Sequence, residues 1–294
     1  MRSSNPVLSR PEAFQRQGAS DANAQQAYGQ APYQQAPYAQ PYQQGYAQPG
    51  YGQPGYNQPG QGYGQPPAPA EGVMTIEDVI AKTGITLGAL FVVAAATFVL
   101  LPVALLMPAI VVSAIVGFVT VLMVSMRRRI SPAAVLAYSV VEGIFIGALS
   151  KMFEYMFPGI VAQAVLGTFV AAGVTLAAYK YLRIRVTSKF RRIVTIATMG
   201  IAAMYLINLV VSLFGVSTGL VALGPTAGPL SWLISAVAVV LAVANLIMDF
   251  DYIEKGVATR APASESWRAA FGLAVTMVWL YTELLRILSY FRSN

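Results

Sequence analysis

Long apolar runs with very few charged residues follow one another from residue 83 to residue 291 of the chain. A bilayer core about 30 Å thick is crossed by roughly 20 apolar residues in a helix. Seven runs are of about this length: 83–101, 107–126, 130–150, 157–182, 193–214, 230–248 and 269–291. Each is too long for a strand and lacks the alternation of a β-barrel. The pattern predicts an all-α membrane protein, a bundle of seven transmembrane helices.

The first 72 residues follow a different pattern. Between residues 19 and 70 the only charged side chain is Asp21, and no aliphatic side chain is larger than alanine. Such a segment buries too little apolar surface to offset the entropy lost on ordering. We predict a disordered tail over residues 1–72 before a membrane domain over residues 73–294. The tail is either a flexible tether or a segment that binds itself or a protein partner through eight regularly spaced tyrosines: Tyr28, Tyr33, Tyr38, Tyr42, Tyr46, Tyr51, Tyr56 and Tyr63.

Composition supports the membrane assignment and excludes several kinds of chemistry. Of the 294 residues, 56% are hydrophobic and 11% are charged, whereas soluble domains carry about 25% charged residues. The chain has no cysteine and no histidine, which excludes disulfides, thiolate chemistry and histidine-based catalysis. There is also no phosphate-binding glycine loop and no GxGD motif. We therefore expect a protein that is not an enzyme, and any response to protons must come from carboxylates.

The net charge of +7 reflects membrane topology and does not indicate nucleic-acid binding, because the basic residues cluster in alternate short connections. Twelve lie in the second, fourth and sixth connections, and one, Lys151, lies in the others. By the positive-inside rule the amino terminus faces the cytoplasm. We predict a multi-pass protein of the plasma membrane. Arg286 and Arg292 lie near the predicted outer end, which leaves open a re-entrant last helix.

Two acids lie within predicted helices, where a charge costs roughly 3 kcal/mol. Glu142 precedes Gly143 and Gly147, whose spacing favours close helix packing. This acid either hydrogen-bonds a neighbouring backbone or has a functional role. Glu283 is followed three residues later by Arg286, so it is either half of an intrahelical pair or a functional acid. Burial disfavours an ionised carboxylate, so either acid could exchange a proton. Gly84 and Gly88 repeat the close-packing spacing in the first helix.

The sixth run ends in the acidic stretch "NLIMDFDYIEKG" of residues 245–256. Asn245 and Asp249 are four residues apart and therefore share a helical face. Asp249 and Asp251 are either part of a solvated helix end, or one of them turns inward and meets Glu283. Glu254, which follows them, is expected to lie in water.

Four stretches together resemble the Bax inhibitor-1 family in its bacterial YccA-like branch. They are "RSSNPVLSR" at the amino terminus, "YSVVEGIFIG" in the third helix, "NLIMDFDYIEKG" after the sixth, and "WLYTELLRIL" in the last. The resemblance covers residues 1–10 and about 75–291 but not the tyrosine-rich tail. It implies a seven-helix bundle in which the last helix is central.

The resemblance also implies a function, because bacterial members of this family are described as pH-sensitive calcium leak channels. In them an acid on each of the last two helices forms a proton-controlled pair that closes the pore. Asp249 and Glu283 match these two acids, and Glu142 matches an acid of the family's glutamate–glycine helix. The resemblance thus implies that Asp249 and Glu283 contact calcium, the only ion or cofactor expected.

Other residues adjust this expectation. Asp251 is a further inward candidate for ion binding, and Asn245 and Arg286 are expected to modulate the acids. The last-helix acid is glutamate where the family usually has aspartate, and Arg286 stands where it often has asparagine. A fixed positive charge there holds Glu283 ionised and opposes calcium passage. The alternative reading is a regulatory protein, because some members of the family modulate a membrane protease or a stress response.

Overall fold

A computed structural model describes residues 72–127, 130–216 and 218–292. The tail predicted for residues 1–72 therefore lies outside the described residues except for Gly72. The amino-terminal stretch "RSSNPVLSR" and the eight tyrosines lie outside them as well.

Within this described part the chain forms seven α-helices, each long and apolar enough to cross a membrane. A single 3₁₀ turn, Val103–Leu105, precedes α2. The prediction of an all-α bundle of seven membrane-crossing helices is confirmed. The helices are α1 (Ile76–Leu100), α2 (Leu106–Ser125), α3 (Pro132–Met156), α4 (Ile160–Tyr181), α5 (Ser188–Leu213), α6 (Pro229–Ala258) and α7 (Glu265–Tyr290).

Several helices extend beyond the apolar runs that predict them. Helix α1 begins at Ile76, where Thr75 caps it by accepting a hydrogen bond from Asp78 N. Helix α6 continues past Met248 to Ala258. Backbone hydrogen bonding carries a helix on into polar surroundings, so the apolar run marks the part within lipid and not the helix end. Helix α7 is continuous over 26 residues, long enough to cross the membrane, so the structure gives no support to a re-entrant last helix.

One end of the bundle, here called the basic end, carries the start of α1 and the α2–α3, α4–α5 and α6–α7 connections. Most of the basic residues that the sequence places in alternate connections therefore gather at one end. Contacts that join these segments or the adjoining helix ends include Lys82 Nζ donating to Ala263 O (2.9 Å), Arg191 Nη2 to Asp251 Oδ2 (2.7 Å), and Arg268 Nη2 to Arg127 O (3.3 Å).

The opposite end joins the remaining connections. Lys151, which the sequence analysis places in the third connection, lies within α3 and donates from Nζ to Leu101 O at 2.7 Å. Gly224, in the connection before α6, donates its N–H to Ser289 Oγ near the end of α7 at 3.1 Å. These contacts tie α3 to the α1–α2 connection and α7 to the α5–α6 connection.

The last helix is central, as predicted. Helix α7 packs against α1, α3, α4 and α6, and its buried residues run from Ser266 to Tyr290. Helix α5 lies at the periphery, because Val194 is its one buried residue in the described part of the chain.

Glycines bring α3 against α1. A Cβ added at Gly143 would lie 2.8 Å from Leu90 O, and one at Gly147 would overlap Ala94 O. The close packing predicted for these two glycines is confirmed. For Gly84 and Gly88 it is wrong, since nothing lies within 4 Å of an added Cβ at either position. The two glycine pairs have the same spacing, but only Gly143 and Gly147 pack closely, because only they face the backbone of a neighbouring helix.

Candidate functional site

Glu283 and Arg286 form a buried ion pair one turn apart on α7, with side chains 2% and 7% exposed. Tyr205, on α5, donates its hydroxyl hydrogen to Glu283 Oε1 at 2.8 Å and accepts a hydrogen bond from Arg286 Nη2. Trp279 Nε1 donates to the same carboxylate oxygen at 3.2 Å. The intrahelical pair, one of the two alternatives that the sequence left for Glu283, is thus present, and it is extended by a partner from another helix.

This cluster leaves one donor without a partner. The Nε atom of Arg286 is buried and has no hydrogen-bond partner among the described residues. Its guanidinium also lies 5.0 Å from the ring centre of Tyr205. Because an arginine side chain stays charged in proteins, Glu283 supplies the negative charge that compensates this buried cation.

Asp249 turns inward toward α7 but does not reach Glu283. Thr276 Oγ1 donates to Asp249 Oδ2 at 2.7 Å. The other carboxylate oxygen, Oδ1, lies 3.3 Å from the position of a Cβ at Gly272, so the absent side chain leaves room for the acid. Thr276 and Glu283 are seven residues apart, about 10 Å along the helix. The Asp249–Glu283 pair implied by the family resemblance is therefore not formed in this structure.

Asp251 follows neither of the two alternatives given for it, a solvated helix end or an inward turn toward Glu283. It is 6% exposed, and its Oδ2 accepts hydrogen bonds from Arg191 Nη2 at 2.7 Å and from Lys255 Nζ at 2.6 Å. It therefore pairs with α5 and with its own helix, not with Glu283. Glu254, by contrast, is exposed, as expected, and it accepts a hydrogen bond from Tyr179.

Asn245 joins α6 to α5. Its Nδ2 donates to Thr198 Oγ1 and to Leu241 O, both at 2.8 Å. Both amide hydrogens are thus donated to groups other than the Asp249 carboxylate, and no hydrogen bond in the described structure supports the predicted modulating role of Asn245.

Glu142 lies against α2. Its Oε2 is 2.9 Å from the position of a Cβ at Gly117, so alanine at that position would meet the carboxylate. Glu142 is half-buried, and among the described residues it has no hydrogen bond or ion pair. The expected alternative of a hydrogen bond to a neighbouring backbone is therefore not seen. The sequence offered no signal for Gly117, because a lone glycine in an apolar run is common.

The four acids thus contact different groups of residues among the described helices. Asp251 and Glu283 are neutralised by cationic side chains, whereas Glu142 and Asp249 have no cation beside them in the described part of the chain. The described residues contain no group of three or more acidic side chains able to hold a metal ion. Calcium contact by Asp249 and Glu283 stays a prediction, and this arrangement does not bring the two acids to one ion.

An apolar cavity of about 270 Å³ lies between α1, α3, α4 and α7. Ser150 Oγ and Tyr281 OH share a hydrogen bond of 2.6 Å at its wall. None of the four acids is among its lining residues, so this cavity does not connect them.

Two comparisons with known proteins were informative to different degrees. None of the curated proteins with which the sequence was compared matches it. The family model described as "Bax inhibitor 1 like" matches residues 5–293, which includes all seven helices. This match and the seven membrane-crossing helices lead to one conclusion: the chain is a multi-pass integral membrane protein that belongs to the Bax inhibitor-1 family.

Proposed function

We propose that the protein lets cations, calcium first among them, leak across the membrane, and that carboxylates within the helices bind the ion and respond to protons. The observation that carries this proposal is the set of contacts that Asp249 makes. It faces the central helix α7, accepts one hydrogen bond from Thr276, and has no cationic partner among the described residues. Carboxylate oxygens are the ligands that calcium prefers.

The four acids divide into two functional groups under this proposal. Glu142 and Asp249 are the ion-binding and proton-exchanging acids, because no positive charge competes for them in the described structure. Asp251 holds α6 to α5 through Arg191. Glu283 is bound to Arg286, so its oxygens are not free for an ion while that pair persists.

The Glu283–Arg286 pair supports a closed state. It lies in the interior between α5 and α7, where Tyr205 and Trp279 also contact the carboxylate. A cation at this level meets a fixed positive charge in a surrounding of low dielectric constant, where repulsion is strong. In the proposed mechanism, conduction requires this pair to separate or to move aside.

Protons compete with the cation for the same carboxylates. A carboxylic acid binds calcium in its ionised form, so acid conditions weaken the contact. We therefore propose that calcium flux falls as the pH is lowered, because protons compete with calcium for the carboxylates of Asp249 and Glu142.

Replacing Asp249 by asparagine is expected to lower calcium flux about tenfold at pH 8, the factor that corresponds to a loss of about 1.4 kcal/mol in ion binding, since the amide keeps the shape but not the charge. The difference between pH 8 and pH 6 is expected to shrink as well. The measurement is calcium uptake into proteoliposomes that contain the full chain. Glu142→Gln is the second test, and Glu254→Gln, an exposed acid on α6, is the matched control. Wild-type flux that equals that of protein-free liposomes rejects conduction, and unchanged flux in both Asp249→Asn and Glu142→Gln removes these acids from it.

We also propose that the protein lies in the bacterial plasma membrane with its amino terminus in the cytoplasm. Gathering of the basic connections at one end supports this orientation. Because the chain has no cysteine, cysteines introduced one at a time can be labelled to determine this orientation. We expect Thr226→Cys, exposed at the opposite end, to react with a membrane-impermeant maleimide in intact cells. Arg185→Cys, exposed at the basic end, is expected to react only in inverted vesicles. Labelling of Arg185→Cys in intact cells contradicts the orientation.

A second candidate function is regulation of a membrane protease or a stress-response partner. The tyrosine-rich composition of residues 19–70 favours it, because such a segment suits partner binding. The discriminating experiment is a pull-down with the full chain and with a chain lacking residues 1–70. A partner lost with the tail, together with no calcium flux in the full chain, favours this function over conduction.

A further inference from the structure

A cleft of about 620 Å³ opens at the basic end, between the start of α5 and the end of α6. Arg191 and Arg192 contribute to it from the first two turns of α5, and Lys255 from the last turns of α6. Ser188 and Thr195 add two hydroxyl groups to the lining. The cleft thus combines three cations with neutral hydrogen-bond donors.

The cleft carries more positive charge than its acid can compensate. Arg191 and Lys255 both donate to one carboxylate oxygen, Asp251 Oδ2, at 2.7 and 2.6 Å. Arg192 has no ion pair or hydrogen bond among the described residues. One negative charge therefore faces three positive charges, and an anion that enters the cleft gains from the excess.

The surface next to the cleft is apolar. Ile193, Ile196 and Met199 follow along α5 and are 67%, 56% and 60% exposed. Because α5 is peripheral and crosses the membrane, these side chains face lipid. A molecule bound here meets cations at its head and an apolar helix surface below, which matches the two ends of a phospholipid.

We propose that this cleft binds the phosphate group of an anionic phospholipid in the leaflet at the basic end, with the acyl chains along Ile196 and Met199. Arg192 contacts the phosphate through its planar guanidinium, which suits two parallel hydrogen bonds to phosphate oxygens. Basic clefts at membrane helix ends are a recognised way of holding such headgroups. The proposal depends on membrane insertion and not on ion conduction.

The phosphate also competes with Asp251 for Arg191 and Lys255. When it binds, these two cations turn partly from the carboxylate to the phosphate. The lipid then joins the start of α5 to the end of α6 in place of part of the ion pair, so its binding is expected to stabilise the folded protein.

The test uses the full chain in dodecyl maltoside micelles, titrated with phosphatidylglycerol while the melting temperature is followed. We expect a saturable rise with phosphatidylglycerol and a much smaller one with phosphatidylcholine, whose headgroup has no net charge. Arg192→Gln is expected to weaken the apparent affinity about fivefold, the factor that corresponds to about 1 kcal/mol for one basic residue near an anionic lipid. Arg192→Lys, which keeps the charge but not the planar guanidinium, is expected to weaken the affinity less than Arg192→Gln does.

Arg185→Gln is the matched control, because Arg185 is an exposed arginine of the adjoining α4–α5 connection that does not line the cleft. It removes the same charge from an exposed position outside the cleft, where solvent and salt screen it, and is expected to leave the affinity within about twofold of wild type. Equal weakening by Arg185→Gln and Arg192→Gln overturns the proposal, because net charge then explains the binding. Glycerol phosphate that gives the same rise at equal concentration also overturns it, since the site is then one for soluble anions.

Discussion

Replacing Glu283 by glutamine is expected to lower the free energy of unfolding by about 3–5 kcal/mol, because it leaves Arg286 charged and buried without its counter-charge. The cost is high for two reasons. Arginine cannot shed its proton to escape burial. In addition, Nε of Arg286 already has no hydrogen-bond partner among the described residues, so Glu283 and Tyr205 provide the contacts that compensate it.

The same helix offers a matched control. Glu265 and Arg268 form a pair with the same spacing at the start of α7, but their side chains are 26% and 27% exposed. Pairs near water contribute little, so Glu265→Gln is expected to cost less than about 1 kcal/mol. The measurement is unfolding in mixed micelles with increasing sodium dodecyl sulfate, followed by circular dichroism.

A second substitution separates loss of the pair from damage to packing. Arg286→Met in the Glu283→Gln background removes the unpaired cation and is expected to recover most of the lost stability, since a buried pair can often be exchanged for apolar groups at little cost. Arg286→Met alone is expected to cost less than Glu283→Gln, because a glutamate left without its partner can take up a proton. Equal costs for Glu283→Gln and Glu265→Gln contradict a buried pair at Glu283.

Replacing Gly147 by alanine is expected to lower the free energy of unfolding by about 2 kcal/mol, as overpacking of a tight contact does. The added Cβ would overlap Ala94 O and lie 2.6 Å from Thr97 Cβ. One of these atoms belongs to the backbone of α1 and cannot rotate away, so α1 and α3 must separate. The same unfolding assay measures the loss.

Gly173 on α4 is the control for this substitution. Nothing lies within 4 Å of a Cβ added there, so Gly173→Ala is expected to stabilise the helix by roughly 0.5–1 kcal/mol. Opposite signs for the two glycine-to-alanine changes identify close contact as the cause. A Gly147→Ala protein as stable as wild type contradicts the close approach of α1 and α3.

Both predictions concern the surroundings of the proposed ion-binding acids. Gly143 and Gly147 hold α3, which carries Glu142, against α1. The Glu283–Arg286 pair lies on α7, the same helix that contacts Asp249 through Thr276. Flux experiments on Asp249 and Glu142 therefore need variants that leave these two contacts intact, and Asp249→Asn and Glu142→Gln do so.

The sequence by itself determined the features that depend on one segment at a time. Length and apolar content identify seven helices, because a membrane-crossing helix must satisfy its own backbone. Helical spacing predicts the Glu283–Arg286 pair, since residues three apart lie on one face. The four matching stretches identify the family, and the alternation of basic connections predicts which of them meet at one end of the bundle.

Contacts between helices were decided only by the tertiary structure. The apolar runs have no polar stripe to show which face turns inward, because lipid accepts the same side chains as the protein interior. The sequence therefore does not determine the rotation or the axial shift of each helix. The rotation and shift adopted in the structure place Asp249 against Gly272 and Thr276, about two turns short of Glu283. They also bring Tyr205 to Glu283, Arg191 to Asp251 and Gly117 to Glu142, three pairings between residues more than 20 positions apart in the chain.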